Sequence, residues 1–284
     1  MTDTVTRFLF EDLDIRGALV HLDVAWQAMQ HGRDYAPTTR DLLGQMTAVT
    51  TLIGSNLKTP GRLSFQVQGH GALRLLVVDC DEQLRLRGVA KAPADLAPAP
   101  VPALLGDGQL VLTLRTNTAA ERPYQSFVPL EGESVAAIFE NYLEISEQAP
   151  SRLWLMADGE RACGLFLQKM PGADKRDEDG WNRIQLLAGT VKDDELALPA
   201  ETLLTRLFPE ETVRVFAPAA ASYHCPRDEG KVLDMLRSLG RAELAGVLEE
   251  KGEIVIADEI CNHTYRYGPE LLDQLFPGPK RTLH

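Results

Sequence analysis

The stretch from Tyr223 to Tyr267 constrains this chain more than any other. Two of the four cysteines, Cys225 and Cys261, stand in it. Asp228 is a good helix N-cap, and Val232, Leu233, Leu236 and Leu239 follow at helical spacing until Gly240 stops them. Leu244, Val247 and Leu248 form a second apolar face that ends at Gly252. The branched run Glu253 to Ile256 reads as a strand, and Thr264 to Tyr267 would pair back on it. Cys261 then sits in or beside the turn of a hairpin. Gly268-Pro269 opens a last helix with Leu271, Leu272 and Leu275 on its apolar side.

A structural metal site made of thiolates needs two cysteine pairs, each with short internal spacing, so that one turn presents two sulfurs to one ion. Cys225 has no cysteine partner at Arg227, and Cys261 has none at Asp258. A site of four thiolates is therefore excluded. His224, Asp258 and His263 are the residues that would complete a mixed site with the two cysteines. Adjacent residues such as His224 and Cys225 rarely both point inward at one ion, so the expected cofactor content is none, with zinc as the alternative.

This tail resembles the C-terminal redox domain of the 33 kDa redox-regulated heat-shock chaperone family (33 kDa chaperonin). That family carries C-x-C and, further on, C-x-x-C around one zinc. Cys225 matches the first cysteine of C-x-C, and Arg227 stands in place of the second. Asp258 stands in place of the first cysteine of C-x-x-C, and Cys261 matches the second. The run Gly252-Glu253-Ile254 ahead of the second pair is similar to the family's. So are Leu63 to Gly71, Leu86 to Ala90, Leu130 to Ser134, Glu147 to Pro150 and Gly164 to Pro171 in the N-terminal part. The resemblance covers nearly the whole chain, in order. It implies that Cys225 and Cys261 lie close together and form a disulfide on oxidation, and that the zinc and thiol switch is altered or lost.

Composition narrows the function. The chain has 284 residues, 44% of them apolar and 25% charged, which is ordinary for a globular protein of one large and one small domain. A net charge of −12 disfavours long-range attraction to nucleic acid or anionic lipid. No apolar run approaches the roughly 20 residues of a membrane span. Met1 to Arg7 shows no signal-peptide pattern, and scattered cysteines make no secreted framework, so the expected compartment is the cytoplasm.

Before the tail, the patterns predict an α+β core. Arg7 to Phe10 and Ile15 to Leu22 read as strands. Pro37 opens a long helix striped by Leu42, Met46, Val49, Ile53 and Leu57. Alternation predicts strands at Leu63 to Val67, Leu73 to Val78, Gln83 to Val89, Leu110 to Leu114 and Tyr124 to Leu130. Ser134 caps a helix carrying Val135, Ile138, Tyr142 and Ile145, and strands over Leu153 to Met156 and Gly164 to Gln168 close the core. The predicted divisions are a core over 1–170, a linker and amphipathic helical segment over 171–222, and a small zinc-knuckle-like domain over 223–284.

The middle segment admits two readings. Trp181, Ile184, Leu187 and Val191 fall on one helical face, and Leu203, Leu204 and Leu207 on another. They either dock permanently on the core or detach to offer apolar stripes to clients. The resemblance implies the second under stress, with these residues as the client-binding set.

No nucleophile elbow, phosphate loop or H-E-x-x-H motif is present. Cys80, between Asp79 and Asp81, and Cys163, in an apolar strand, read as plain free thiols. The leading reading is thus not an enzyme: an ATP-independent holdase chaperone of the resembling family. The alternative is a thiol oxidoreductase using Cys225 and Cys261, although such enzymes keep C-x-x-C at a helix N-terminus. Expected partners are unfolded or aggregation-prone proteins and a second copy of the chain, with neither nucleic acid nor membrane.

Overall fold

The computed structural model describes residues 3–57, 59–116 and 122–277. It divides into two compact units, Met1–His224 and Cys225–His284. We call them the body and the tail.

The body is α+β. A hairpin of β1 (Thr4–Phe10) and β2 (Ile15–Leu22) starts it, in the register Phe10 opposite Ile15. Next come α1 (Val24–Gln30) and α2 (Pro37–Gly54). α1 has no cap from its own flanking side chain. Asp3 supplies one instead: its carboxylate accepts the backbone N–H groups of Asp23, Val24 and Ala25. A negative charge at exposed helix N–H groups satisfies them and complements the helix dipole. Strands β3 (Gly61–Gln68), β4 (Leu75–Asp81) and β5 (Arg85–Lys91) follow, then α3 (Val101–Leu105), β6 (Gln109–Thr116) and β7 (Tyr124–Val128). α4 (Val135–Glu147) is capped by Ser134, whose hydroxyl accepts the Ala137 N–H. Ile145, expected on its apolar face, is exposed. β8 (Ser151–Ala157) and β9 (Ala162–Lys169) form the next hairpin.

Two sheets result. β1, β2, β9 and β8 pair antiparallel in that order, and β4, β3, β6 and β7 continue from β5 in the second sheet. α2 packs against strands of both sheets, which explains its unusual burial. Leu43, Ala48, Val49 and Leu52 are sealed, and so are Thr47, Thr50 and Thr51. Each of these three threonines donates its hydroxyl to the carbonyl four residues back, so none of the three is orphaned. Gly44 lets the helix approach the other elements: a Cβ would meet Ala157 at 2.4 Å and the Trp26 indole at 3.1 Å. This first core, between the sheets, also takes Phe65 and Phe139, packed edge to face.

The chain after β9 forms a third layer. α5 (Ala173–Arg176), α6 (Gly180–Ala188), a 3-10 turn at Glu195–Ala197 and α7 (Ala200–Leu207) lie in it. Their apolar sides join Phe8, Phe10, Leu13, Ile15, Leu19, Cys163, Leu165 and Leu167 in a second core. Val191, expected on the face of Trp181 and Ile184, lies past the end of α6, because the helix stops at Gly189. The segment then returns to the body. β10 (Val213–Val215) and β11 (Ala219–Ala220) pair with β1, and β12 (Ser222–Tyr223) runs parallel to β5. Ala219–Ala220 and Ser222–Tyr223 are therefore held in the two sheets, through main-chain bonds that side-chain patterning does not reveal.

The tail is small. α8 (Glu229–Leu239) and α9 (Arg241–Lys251) precede the hairpin of β13 (Ile254–Asp258) and β14 (His263–Tyr267), and α10 (Leu271–Leu275) follows. Leu236, Leu244, Leu248, Ile254, Leu271 and Leu275 are its buried cluster. Asp228 caps α8 by accepting the Lys231 N–H, as its position implies. Among the described residues no helix is long and apolar enough to cross a membrane.

Candidate functional site: the thiol knuckle and the third layer

The turn between β13 and β14 is built by Asp258. Its Oδ1 accepts the N–H groups of Ile260 at 3.1 Å and Cys261 at 3.2 Å. Asn262 takes a φ of 55°, a left-handed conformation that asparagine tolerates, and His263 then pairs across from Asp258. Cys261 is thereby fixed at the tip. Cys225 meets it from the start of the tail. The two α-carbons lie 5.5 Å apart, inside the usual disulfide range, and the sulfurs are at bonding distance.

Arg227 does not point a bare charge at this site. Its guanidinium donates to the Thr264 carbonyl and lies over the Tyr265 ring, 4.8 Å from the centroid. Tyr265 in turn accepts the Asp228 N–H on its hydroxyl at 3.0 Å. The residue in a thiolate's place thus ties the Cys225 loop to the hairpin through a hydrogen bond and a cation–π contact. Sequence reasoning missed this latch. The polar and aromatic alternation from Thr264 to Tyr267 was its only visible trace.

The zinc implied by the resemblance can be tested against these side chains. Asp258, Cys261 and His263 each offer a ligand atom, and the three atoms lie within 4.8 Å of one another. The Nδ1 of His263 is buried and has no hydrogen-bond partner among the described residues. Such an orphaned nitrogen beside a thiol and a carboxylate fits a metal ligand. With the disulfide closed the set is incomplete, because a bonded sulfur is not a thiolate. His224 belongs to the body, where its N–H donates to the Leu86 carbonyl.

In the third layer, Trp181, Ile184, Leu203, Leu204 and Leu207 are buried, and Leu187 and Val191 are half-buried against them. Their floor is the outer face of β1, β2 and β9. Phe10 meets Phe208 edge to face at 4.9 Å. His21 reaches from β2 to the layer, its Nε2 2.9 Å from the Leu196 carbonyl, and burial holds its pKa below the ordinary histidine value. Arg183 bolts the ends of the layer together: Nε pairs with Glu211 at 2.9 Å, and its other nitrogens with Asp177 at 2.9 Å and Asp179 at 3.9 Å.

The two free cysteines are inert in this state. Cys163 lies under the third layer and Cys80 in the first core. Each thiol is pushed up to about 12, by burial first. For Cys80 the carboxylates of Asp81 and Asp79 add to the shift, as its position between them suggests, but they are the lesser cause. The Cys225–Cys261 pair lacks the C-x-x-C spacing of a thiol oxidoreductase.

Similarity to known proteins agrees with this geometry. The profile of the family described as Hsp33 protein matches residues 3–268. A 33 kDa chaperonin of Methylobacillus flagellatus is 41% identical over 279 residues, covering 97% of this chain and 95% of that protein. One from Chromobacterium violaceum is 42% identical over 276 residues, covering 96% and 94%. The crystal structure of a 33 kDa chaperonin (heat shock protein 33 homolog) from Thermotoga maritima superposes with a TM-score of 0.80 over 97% of this chain and 98% of that one. At 21% identity it shows the shared fold. With a matching profile along nearly all its length and relatives above 40% identity, the chain belongs to the Hsp33 protein family and is a chaperone rather than an enzyme.

Proposed function

We propose that this chaperone is an ATP-independent holdase that binds unfolding proteins on apolar surface stored beneath and within its third layer. One observation carries the reading. The sheet of β1, β2 and β9 has two apolar faces, and only one of them belongs to the first core. Lifting the segment 171–222 would bare Phe8, Phe10, Leu165 and Leu167 on the sheet together with Trp181, Ile184, Leu203, Leu204 and Leu207 on the helices. The first core would stay closed. A contiguous apolar surface of that kind, released on demand, is what an unfolded client requires. The core over 1–170, the segment over 171–222 and the domain over 223–284 would then be scaffold, client-binding layer and switch.

Cys225 and Cys261 are the switch residues in this reading, altered from a four-cysteine arrangement. Zinc, if bound, would draw on Cys225, Cys261, Asp258 and His263, and would supply a crosslink rather than chemistry on a substrate. Expected partners are unfolded clients and a second copy of the chain. The compartment that keeps such thiols responsive is the cytoplasm.

Light scattering of a thermally unfolding client enzyme, without ATP and under reducing and oxidising conditions, tests the proposal. Suppression of aggregation is expected, accompanied by alkylation of Cys163 while Cys80 stays protected. Absence of suppression under every redox condition would sink the holdase reading. Suppression with Cys163 still protected would move the client site away from the third layer.

A further inference from the structure

We propose that the body binds an aliphatic carboxylate, of the class of free medium-chain fatty acids, in a cavity walled by α2, α4 and strands of both sheets, with Arg16 as the anchor for the acid group. The inference uses neither the third layer nor the thiol pair, so it stands or falls apart from the holdase reading.

The cavity measures about 870 Å³. Small-molecule sites run from roughly 300 to 1,000 Å³. Much of its wall is apolar: Leu52 and Ile53 of α2, Leu114 of β6, Leu143 of α4, Leu153 of β8 and Phe166 of β9 line it. Two helix ends keep it open. α2 stops at Gly54, and α4 stops where Gln148 takes a left-handed φ of 52°, shortly before Pro150. Side chains of the first core line the space without filling it. An aliphatic chain seated there removes apolar surface from water on both partners.

One end of the cavity is polar and prepared. Gln168 lines it and is 1% exposed. Its side-chain oxygen accepts from Arg16 Nε at 2.8 Å and also from Nη2. Its amide nitrogen donates to Ser151 Oγ and to Glu147 Oε2, each at 3.1 Å. A buried side chain bonded on every side fixes the guanidinium in front of it. Arginine has five N–H donors, and Gln168 takes two of them on the Nε side. The outer edge of Nη1 and Nη2 keeps its donors. That planar fork fits both oxygens of a carboxylate. Among the described residues Arg16 has no ion-pair partner.

The charges of the lining select the acid. Arg16, Lys169, Glu147 and Asp174 are its ionic groups. Lys169 is paired with Asp174 at 2.6 Å, and Glu147 accepts from Gln168. Arg16 is left as the cation with open donors, and Glu147 as the charge that opposes an acid. An ammonium head group would meet the Arg16 charge, and an alcohol would use only part of the fork. The net charge of −12 disfavours anions at long range, so recognition acts by contact.

Decanoate is the probe, titrated into the oxidised full chain by calorimetry below the concentration at which it forms micelles. Saturable binding of one decanoate per chain is expected, with decanol weaker by at least about tenfold. Arg16→Gln should weaken decanoate at least about tenfold and leave decanol unchanged. Glu147→Gln keeps an acceptor for Gln168, removes the opposing charge and should tighten decanoate about two- to fivefold. Leu114→Trp, which fills the space from a half-buried position, should abolish binding. Cys163 should stay protected from alkylation throughout, which separates this cavity from the apolar surface under the third layer. The proposal is overturned by any of five results: no saturable binding, decanol binding as tightly as decanoate, full affinity in Arg16→Gln, alkylation of Cys163 during the titration, or a leucine tripeptide binding more tightly than decanoate. It is also overturned if Leu114→Trp converts a dimer to a monomer in sedimentation, since a second copy of the chain would then be the occupant.

Discussion

The body and the tail are held by different forces. The body seals large aromatic side chains, among them Trp26, Phe8, Phe10, Phe65, Phe139 and Phe208, in two cores that share one sheet. Among the described residues the tail cluster has six buried members, all aliphatic, with Tyr265 the buried aromatic beside it, and the tail relies on the Cys225–Cys261 bond and the Arg227 latch. Small domains bury too little surface to stand on apolar contact alone, and a crosslink makes up the deficit. The contrast teaches where a chemical signal can act. The tail carries the bonded cysteines, whereas the two free thiols of the body are buried.

The largest effect should come from the disulfide. The bond closes a loop with a sequence separation of 36 residues, and the chain-entropy account assigns it about 4 kcal/mol. Reduction in metal-free buffer should therefore speed hydrogen exchange in β13 and β14 by orders of magnitude and leave β2 and β3 unchanged. Equal acceleration in both units would break the contrast.

Leu203→Ala should cost the body about 3 kcal/mol, since the residue is fully buried in the second core. Alkylation of Cys163 should quicken, with Cys80 and tail exchange unaffected. If Cys80 opens in step with Cys163, the two cores are one cooperative unit and the third layer does not lift alone.

Acid should loosen the same layer more mildly. His21 is buried with its pKa lowered, so the folded chain resists a proton that the unfolded chain accepts below about pH 6.5. The unfolded state then binds more protons, and stability falls as pH drops through that value. At about pH 5.5 the loss is at most about 1.4 kcal/mol. It should appear as faster Cys163 alkylation in the wild type and vanish in His21→Gln.

Arg183→Met is the smallest perturbation. Its pairs with Asp177 and Glu211 are partly exposed and screened, so Cys163 alkylation should rise by about two- to fivefold. No change would mean that the layer is held by its apolar face alone.

Much of the molecule is legible along the chain. Strand alternation, Ser134 and Asp228 as caps, Pro37 at a helix start and the apolar spacing around Leu236 and Leu244 are local signals, and the elements form where those signals lie. Asp258, Cys261 and His263 were legible as residues of interest because their types and spacing are those of ligands. The Arg227 latch and the His21 bond to Leu196 were not, since both depend on partners distant in sequence.

The sequence alone determined most of the elements, because helix and strand periodicity are properties of neighbouring residues, and its short motifs carried the family resemblance. Tertiary structure decided the rest. It placed the stripes of α6 and α7 on the outer face of β1, β2 and β9 and set Ala219–Ala220 and Ser222–Tyr223 as short strands. It also brought His263 and Asp258 to Cys261. A chain's periodicity says which face of an element must be covered, but only the packing of all the faces together settles which surface covers it.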